Sequence, residues 1–445
     1  MSPPGTAAVC LVSLTFLWPL AGICGRLAQA PFQEHDWREN ARVSAKANPV
    51  RLLLAGIVLI AVLTTLAAPQ KALAQRIGED LAARLTGAQT QAYLRYLRAQ
   101  AQHANETESY WTIIEEMKEA RRRKRAAGQP FVASDYVAVQ PPRYAGPPLP
   151  PDVAKIIAAL RPPEPPEPMP DLADFLRHAR EVYGFVPAQT TEAQFKQRYA
   201  EESLAHGLTK DQVVRVYALE TGGRGTYDMQ AGIDPETKQG RPISSALGYA
   251  QLLGANSVNE LVKHGDTFIQ RLNALAASSN ARRRTQLRAK AAVLGRMLRD
   301  ARSVPNQWSA HVALSRTPKG LGIHALNLDA DIGPWLQTIK LQGVREYAAK
   351  AGRPNLSGAE IELMNLAGPQ TGLDMMDQAG RNVPTANFFA QRAYNRNPIV
   401  KDRTSVELLA ALEDRMNHNL RKAGSIEFAR IFDATLAARS RAAGR

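Results

Sequence analysis

Cysteine is almost absent: the 445 residues hold two, Cys10 and Cys24. Both precede Gln75, so everything after it can form no disulfide and offers no thiol chemistry. The eight histidines are scattered, with no HExxH stretch and no Cys/His spacing of the zinc type, so neither a metal nor another cofactor is expected. Val, Ile and Thr never gather into long alternating runs, which speaks against an extensive sheet. No internal repeat is visible. Aromatic residues are sparse at 6%, yet 45% of the chain is apolar, a globular rather than a disordered composition.

What is present begins with an apolar leader. Residues 52–68, LLLAGIVLIAVLTTLAA, carry no charge; Arg42, Lys46 and Arg51 precede them, and Ala72-Leu73-Ala74 follows as an A-x-A cleavage pattern. That is the layout of a secretory signal peptide, and the run is also long enough for an uncleaved membrane anchor. The earlier apolar run from Ala7 to Cys24 has no preceding Lys or Arg and makes a poor orienting signal. A start at Val43 or Val50 leaves a compact signal sequence, so about the first 45 to 50 residues are expected to be foreign to the natural product. The expected location is the periplasm, with an inner-membrane anchor facing the periplasm as the alternative. The formal charge is +15, and residues 75–445 keep 50 basic against 38 acidic side chains, a net of about +12. Such a charge favours an anionic partner: nucleic acid, acidic lipid or the bacterial cell wall. Export selects the last two, and nucleic acid is not expected.

Composition then divides the chain into four parts: a leader at 1–74, a helical region at 75–136, a proline-rich spacer at 137–170 and a main domain at 171–445. The helical region ends in the basic cluster Arg121 to Arg125, readable as a solvated helix end or as a foothold on membrane or wall. The segments VQPPRYAGPPLPPD and RPPEPPEPMPD favour extended polyproline geometry around a short helix at 153–160. Beyond Asp171, helical periodicity predicts helices at 171–182, 190–206, 209–220, 256–276, 281–302, 334–351, 357–366, 385–394, 404–420 and 425–440. The exception is 221–242, TGGRGTYDMQAGIDPETKQGRP, whose five glycines predict a loop or a small hairpin.

The chemistry concentrates where one of these helices ends. Thr209 and Gln212 form a T-x-x-Q capping box that starts the helix. Counting back from Glu220 by three, four and seven reaches Tyr217, Val216 and Val213, so this acid lies on the apolar face. Burial there raises a carboxyl's pKa, and a carboxyl protonated near neutral pH is what a general acid requires. The structural alternative is a Glu that closes a helix by bonding the backbone or an arginine such as Arg224 or Arg241. Downstream, SSALGYAQLLGANS (244–257) brackets Tyr249 and Gln251 with small residues. Tyr and Gln offer stacking surface and amide bonds suited to sugars, although close packing through Ala246 and Gly248 explains the small residues equally well.

Together the two motifs resemble the soluble lytic transglycosylases of the lysozyme-like superfamily. That family pairs a catalytic Glu, usually followed by Ser, with a GLMQLMP-type motif. Here ALET ends on Glu220-Thr221, and ALGYAQLLGANS matches at Ala246, Leu247, Gly248, Gln251 and Leu252. A third family element, AYNAGPG-like, has its counterpart in ELMNLAGPQTG (362–372), which shares Asn365, Ala367, Gly368 and Pro369 but lacks the tyrosine. The same segment is similar to the HFLGPGGA type found in phage-tail and export-associated transglycosylases. The likeness spans roughly 190–420.

The resemblance implies a mainly α, lysozyme-like domain and an enzyme that cleaves peptidoglycan between N-acetylmuramic acid and N-acetylglucosamine, leaving a 1,6-anhydro end. Glu220 would be its single acid and base. Thr221, Tyr227, Ser245, Gly248, Tyr249, Gln251, Asn365 and Tyr394 would bind substrate, with Tyr394 or Tyr227 standing in for the missing tyrosine. The alternatives are a muramidase using a second carboxylate, Asp228 or Asp234, and a non-catalytic wall-binding protein of an envelope complex.

Overall fold

The computed structural model describes residues 80, 81, 83–160 and 168–443, and the apolar leader lies outside the described residues. Among these are fifteen α-helices and no strand, the mainly helical class that the periodicity predicts. The chain forms two compact units. One comprises described residues 80–113 and 141–160, the other 114–140 and 168–443.

Helix α1 (Gly87–Ala126) contributes to both units. In the smaller one Tyr93 stacks on Tyr96 at 6.2 Å, while Tyr144 meets Tyr96 and His103 edge-on at 6.4 and 5.6 Å. Helix α2 (Pro151–Leu160) opens on proline, whose fixed φ suits a first helical position, and buries Val153. The proline-rich stretch is thus shared: 137–140 fold with the large unit and 141–160 with the small one.

In the large unit, side-chain caps start most of the longer helices. Asp171, Thr191, Thr209, Ser357 and Thr404 each accept from the amide three residues on, and the residue there bonds back to the cap. Each cap is worth about 1 kcal/mol. The helices they open are α3 (Leu172–Tyr183), α4 (Glu192–Ala205), α5 (Lys210–Glu220), α11 (Gly358–Ala367) and α14 (Ser405–Asn419). Between and after them lie α6 (Gly254–Ala277), α7 (Ala281–Ala301), α8 (Trp308–Ser315), α9 (Pro318–His324), α10 (Gly333–Lys350), α12 (Pro369–Met376), α13 (Gln391–Arg396) and α15 (Ala423–Ala443). The predicted helix at 385–394 is replaced by a 3-10 turn at Thr385–Asn387 followed by α13. The Asn387 side chain bonds the carbonyls of Pro384 and Val137 there and draws the chain out of helical register.

Two apolar cores result. Phe175, Leu261, Phe268, Leu294, Met297 and Ile323 join α3, α6, α7 and α9. Phe195, Tyr199, Tyr217, Tyr249, Met364 and Phe428 join α4, α5, α11 and α15. Helix α5 sits inside the second core and packs against α11, α14 and α15.

The basic cluster on α1 serves this unit from within. Arg121 is buried, donates to the carbonyls of Asp135 at 2.7 Å and Asn387 at 2.6 Å, and lies 4.4 Å over the Tyr136 ring. Lys124 pairs with Asp135 at 2.7 Å, and Arg125 pairs with Asp374. Arg122 and Arg123 stay exposed beside Glu119.

Candidate active site

Helix α5 begins as its capping box dictates: Thr209 Oγ1 accepts from the Gln212 amide at 3.3 Å, and Gln212 Oε1 accepts from the Thr209 amide at 3.0 Å. Gln212 also donates to the Leu356 carbonyl at 2.8 Å, which ties α5 to the segment entering α11. The helix stops at Glu220. Thr221 Oγ1 donates back to the Tyr217 carbonyl at 2.7 Å, and Gly222 and Gly223 adopt φ of 64° and 73°. Glycine alone holds two successive left-handed residues without strain. A Cβ on Gly223 would also overlap the Asn419 carbonyl at the end of α14.

At this terminus Glu220 is fully buried, and its carboxyl is hydrogen-bonded to a second buried carboxyl, Glu362 on α11. Two carboxylates in contact cannot both ionise in an apolar setting, so the pair retains a proton. Burial has the largest effect on Glu362 and lifts its pKa to about 7; Lys340 on α10, the Asn365 amide and the bond from Glu220 oppose it. The two carboxyls therefore hold one proton between them. Asn365 Nδ2 donates to Glu362 Oε2 at 3.4 Å. Tyr199 on α4 completes the group: burial foremost, and then the charge of Glu220, push its hydroxyl above the usual tyrosine range.

The second motif forms a tight turn. Leu247 and Leu252 exchange backbone hydrogen bonds at 3.0 Å in both directions, leaving 248–251 as a four-residue loop. Gly248 and Gln251 both sit at left-handed φ, 73° and 41°. The Gln251 side chain stabilises its unusual backbone by donating to the carbonyls of Gly248 at 2.8 Å and Met229 at 3.4 Å. Ala250 donates to Gln337 Oε1 at 3.2 Å. Ser245 is engaged at the start of α6, its hydroxyl accepting from the Gly254 amide at 3.1 Å and its carbonyl accepting from His324 Nε2 at 2.6 Å. Gln230 Oε1, Gln251 Oε1 and Gln337 Nε2 are buried without a hydrogen-bond partner.

Tyr249 links the two motifs through its ring, 4.9 Å from Tyr217 and 5.5 Å from Tyr199, while its hydroxyl donates to Glu192 at the start of α4. Tyr227 stacks on Phe195 at 4.7 Å, and its amide donates to the same Glu192 at 3.1 Å. Tyr394 lies in the 390–402 segment, its hydroxyl accepting from the Asp402 amide at 2.8 Å. Of the loop acids, Asp234 caps its own turn by accepting from the amides of Glu236 and Thr237 at 2.9 and 2.8 Å, and Asp228 accepts from Thr226 and pairs with Lys238 at 3.5 Å.

The structure therefore brings together Glu220, Asn365 and two residues that motif reasoning passed over, Glu362 and Tyr199. Glu362 had a visible signal: it is an acid inside AEIELM, where Ala359, Ile361, Leu363 and Met364 are all buried. Tyr199 had a weaker one, its place four residues after Phe195 on the buried stripe of α4. Compared with known proteins, the chain matches no protein family, no curated protein and no solved structure.

Proposed function

We propose that the protein is an exported lytic transglycosylase with a lysozyme-like catalytic domain, and that it cleaves peptidoglycan with Glu220 as acid and base. The observation that carries this is the buried Glu220 at the end of α5, in contact with the buried carboxyl of Glu362. Its proton passes to the glycosidic oxygen, and the bond from muramyl C1 breaks with its electron pair going to the departing N-acetylglucosamine oxygen. The C6 hydroxyl then bonds to C1, and its proton returns to Glu220. No water is consumed, and the enzyme ends in the protonation state in which it began. The net positive charge suits an anionic wall.

Carboxyl spacing favours this chemistry over ordinary hydrolysis. Retaining glycosidases hold their two carboxyls about 5–5.5 Å apart and inverting ones about 6.5–9.5 Å. Glu220 and Glu362 are in direct contact, leaving no room for a sugar carbon or a water between them. Asp234 is committed to its turn.

The test is to digest purified peptidoglycan with the protein and identify the muropeptide ends by mass spectrometry. Anhydro-muramyl ends are expected, and Glu220→Gln should lower turnover by at least roughly two orders of magnitude. Reducing ends would instead establish a muramidase, and near-normal turnover of the variant would refute the assignment. Complete burial of Glu220 favours a second reading, a wall-binding assembly protein that keeps the acid as part of its core. That reading predicts binding to peptidoglycan without any release.

A further inference from the structure

We propose that Glu362 is a positioning residue that shares a single proton with Glu220 and so sets the pH range over which Glu220 works; its catalytic half rests on the transglycosylase reading, its proton half on the contact of two buried carboxyls. The two carboxyls stand on different helices, the last turn of α5 and the middle of α11, which pack against each other. Glu220 is 0% and Glu362 3% exposed, so water does not separate them. Lys340 of α10 and Asn365 of α11 act on Glu362, and Tyr199 of α4 is acted on by Glu220. Helices α12 and α14 also pack against α11 but supply none of the groups acting on Glu362. From α15, Glu427 is turned to Lys196 of α4, at 2.5 Å.

The pair therefore shares one proton and one negative charge, and Lys340 is the cation that acts on Glu362. In the form with the shared proton on Glu220, its release to the leaving oxygen leaves both carboxyls negative and in contact. Like charges in contact raise proton affinity. Glu220 in that state is a stronger base than a lone carboxylate, which suits it to take the proton of the C6 hydroxyl. Glu362 touches no reacting atom in this scheme. It acts through the charge it places beside Glu220.

Glu362→Gln in the full chain keeps the shape and removes the charge. Two readouts follow. An infrared titration of the protonated-carboxyl stretch should show the wild type keeping its band through neutral pH and the variant losing it at least one pH unit lower. The alkaline limb of the rate of muropeptide release should move the same way, so that activity falls at least tenfold at the upper end of the range and persists at the acid end. Glu362→Asp, which keeps the charge but withdraws it from contact, should lie between the two, and it carries the test if the Gln variant fails to fold. An unchanged band and an unchanged alkaline limb in these variants would overturn the inference. If the wild type releases no muropeptides the transglycosylase reading falls, while the infrared titration still decides whether the proton is shared.

Discussion

Replacing His324 with Gln should change how the protein's stability responds to acid. The imidazole is wholly buried, 4.8 Å edge-on to Phe175. Nε2 lies 2.6 Å from the Ser245 carbonyl and Nδ1 2.8 Å from Ser257 Oγ, which in turn accepts from Asn327 at 2.8 Å. Burial lowers the ring's pKa from 6.5 to about 4. The unfolded chain thus takes up a proton near pH 6.5 that the folded one refuses until pH 4. The associated stability is fully present above pH 6.5 and is lost as the pH falls through that window. At about 1.4 kcal/mol per pH unit the loss comes to about 3 kcal/mol. The Glu220–Glu362 pair works in the opposite sense, because burial lifts the Glu362 pKa to about 7 and the retained proton contributes stability below pH 4.5 that is lost as the pH rises to about 7. The quantity to measure is therefore the difference between variant and wild type, in which Glu362 cancels. Urea unfolding at pH 7 and pH 4, followed by tryptophan fluorescence to which Trp335 of the same core contributes, gives it directly. His324→Gln should be less stable at pH 7 by about 1–3 kcal/mol through lost hydrogen bonds, and the gap should close by about 3 kcal/mol at pH 4. Equal losses on acidification would refute the reasoning.

Other consequences can be checked as simply. Gly248→Ala combines left-handed strain with overlap against the Gln337 amide and should cost about 2–3 kcal/mol in thermal unfolding. Gly222→Ala, at a similar φ with open space around it, should cost only about 1 kcal/mol, and equal losses would count against the overlap. Arg121→Ala strips the carbonyls of Asp135 and Asn387 of their donor. Limited proteolysis should then cut between 127 and 137 many times faster while leaving the large unit otherwise intact; an unchanged cleavage rate would show that the arm is held by other contacts.

The sequence makes α5 legible from end to end, because each of its features is local: the cap three residues from its partner, the stripe at helical spacing, the glycines after the acid. The partner of Glu220 is not local. Glu362 sits in an equally apolar run, but nothing in either stretch says that α5 and α11 place their acids face to face, which depends on how the second core packs. The tyrosine beside Glu220 shows the same limit. Tyr199, on which the charge of Glu220 acts, comes from a helix that precedes the acid, and no motif order reveals it. Arg121, Lys124 and Arg125 read as part of a solvated end or a foothold because their partners, Asp135, Asn387 and Asp374, enter from segments far along the chain or past a turn. Helices α8, α9 and α12 span eight, seven and eight residues, too few for periodicity to reveal, although Thr317-Pro318 and Gly368-Pro369 mark two of their starts.

The glycine-rich excursion is closed at its neck. Ala231 donates to the Ala246 carbonyl, Ile243 to that of Ala231 and Gly248 to that of Met229, all within 3.1 Å. Whatever lies between 232 and 242 leaves and returns through one doorway, so residues can be added or removed there at a loop-closure penalty of only about 0.6 kcal/mol per doubling of length. Gln251 would not move. The excursion is a segment in which lineages, or protein engineers, can change length and charge freely while Glu220 and Gln251 keep their places.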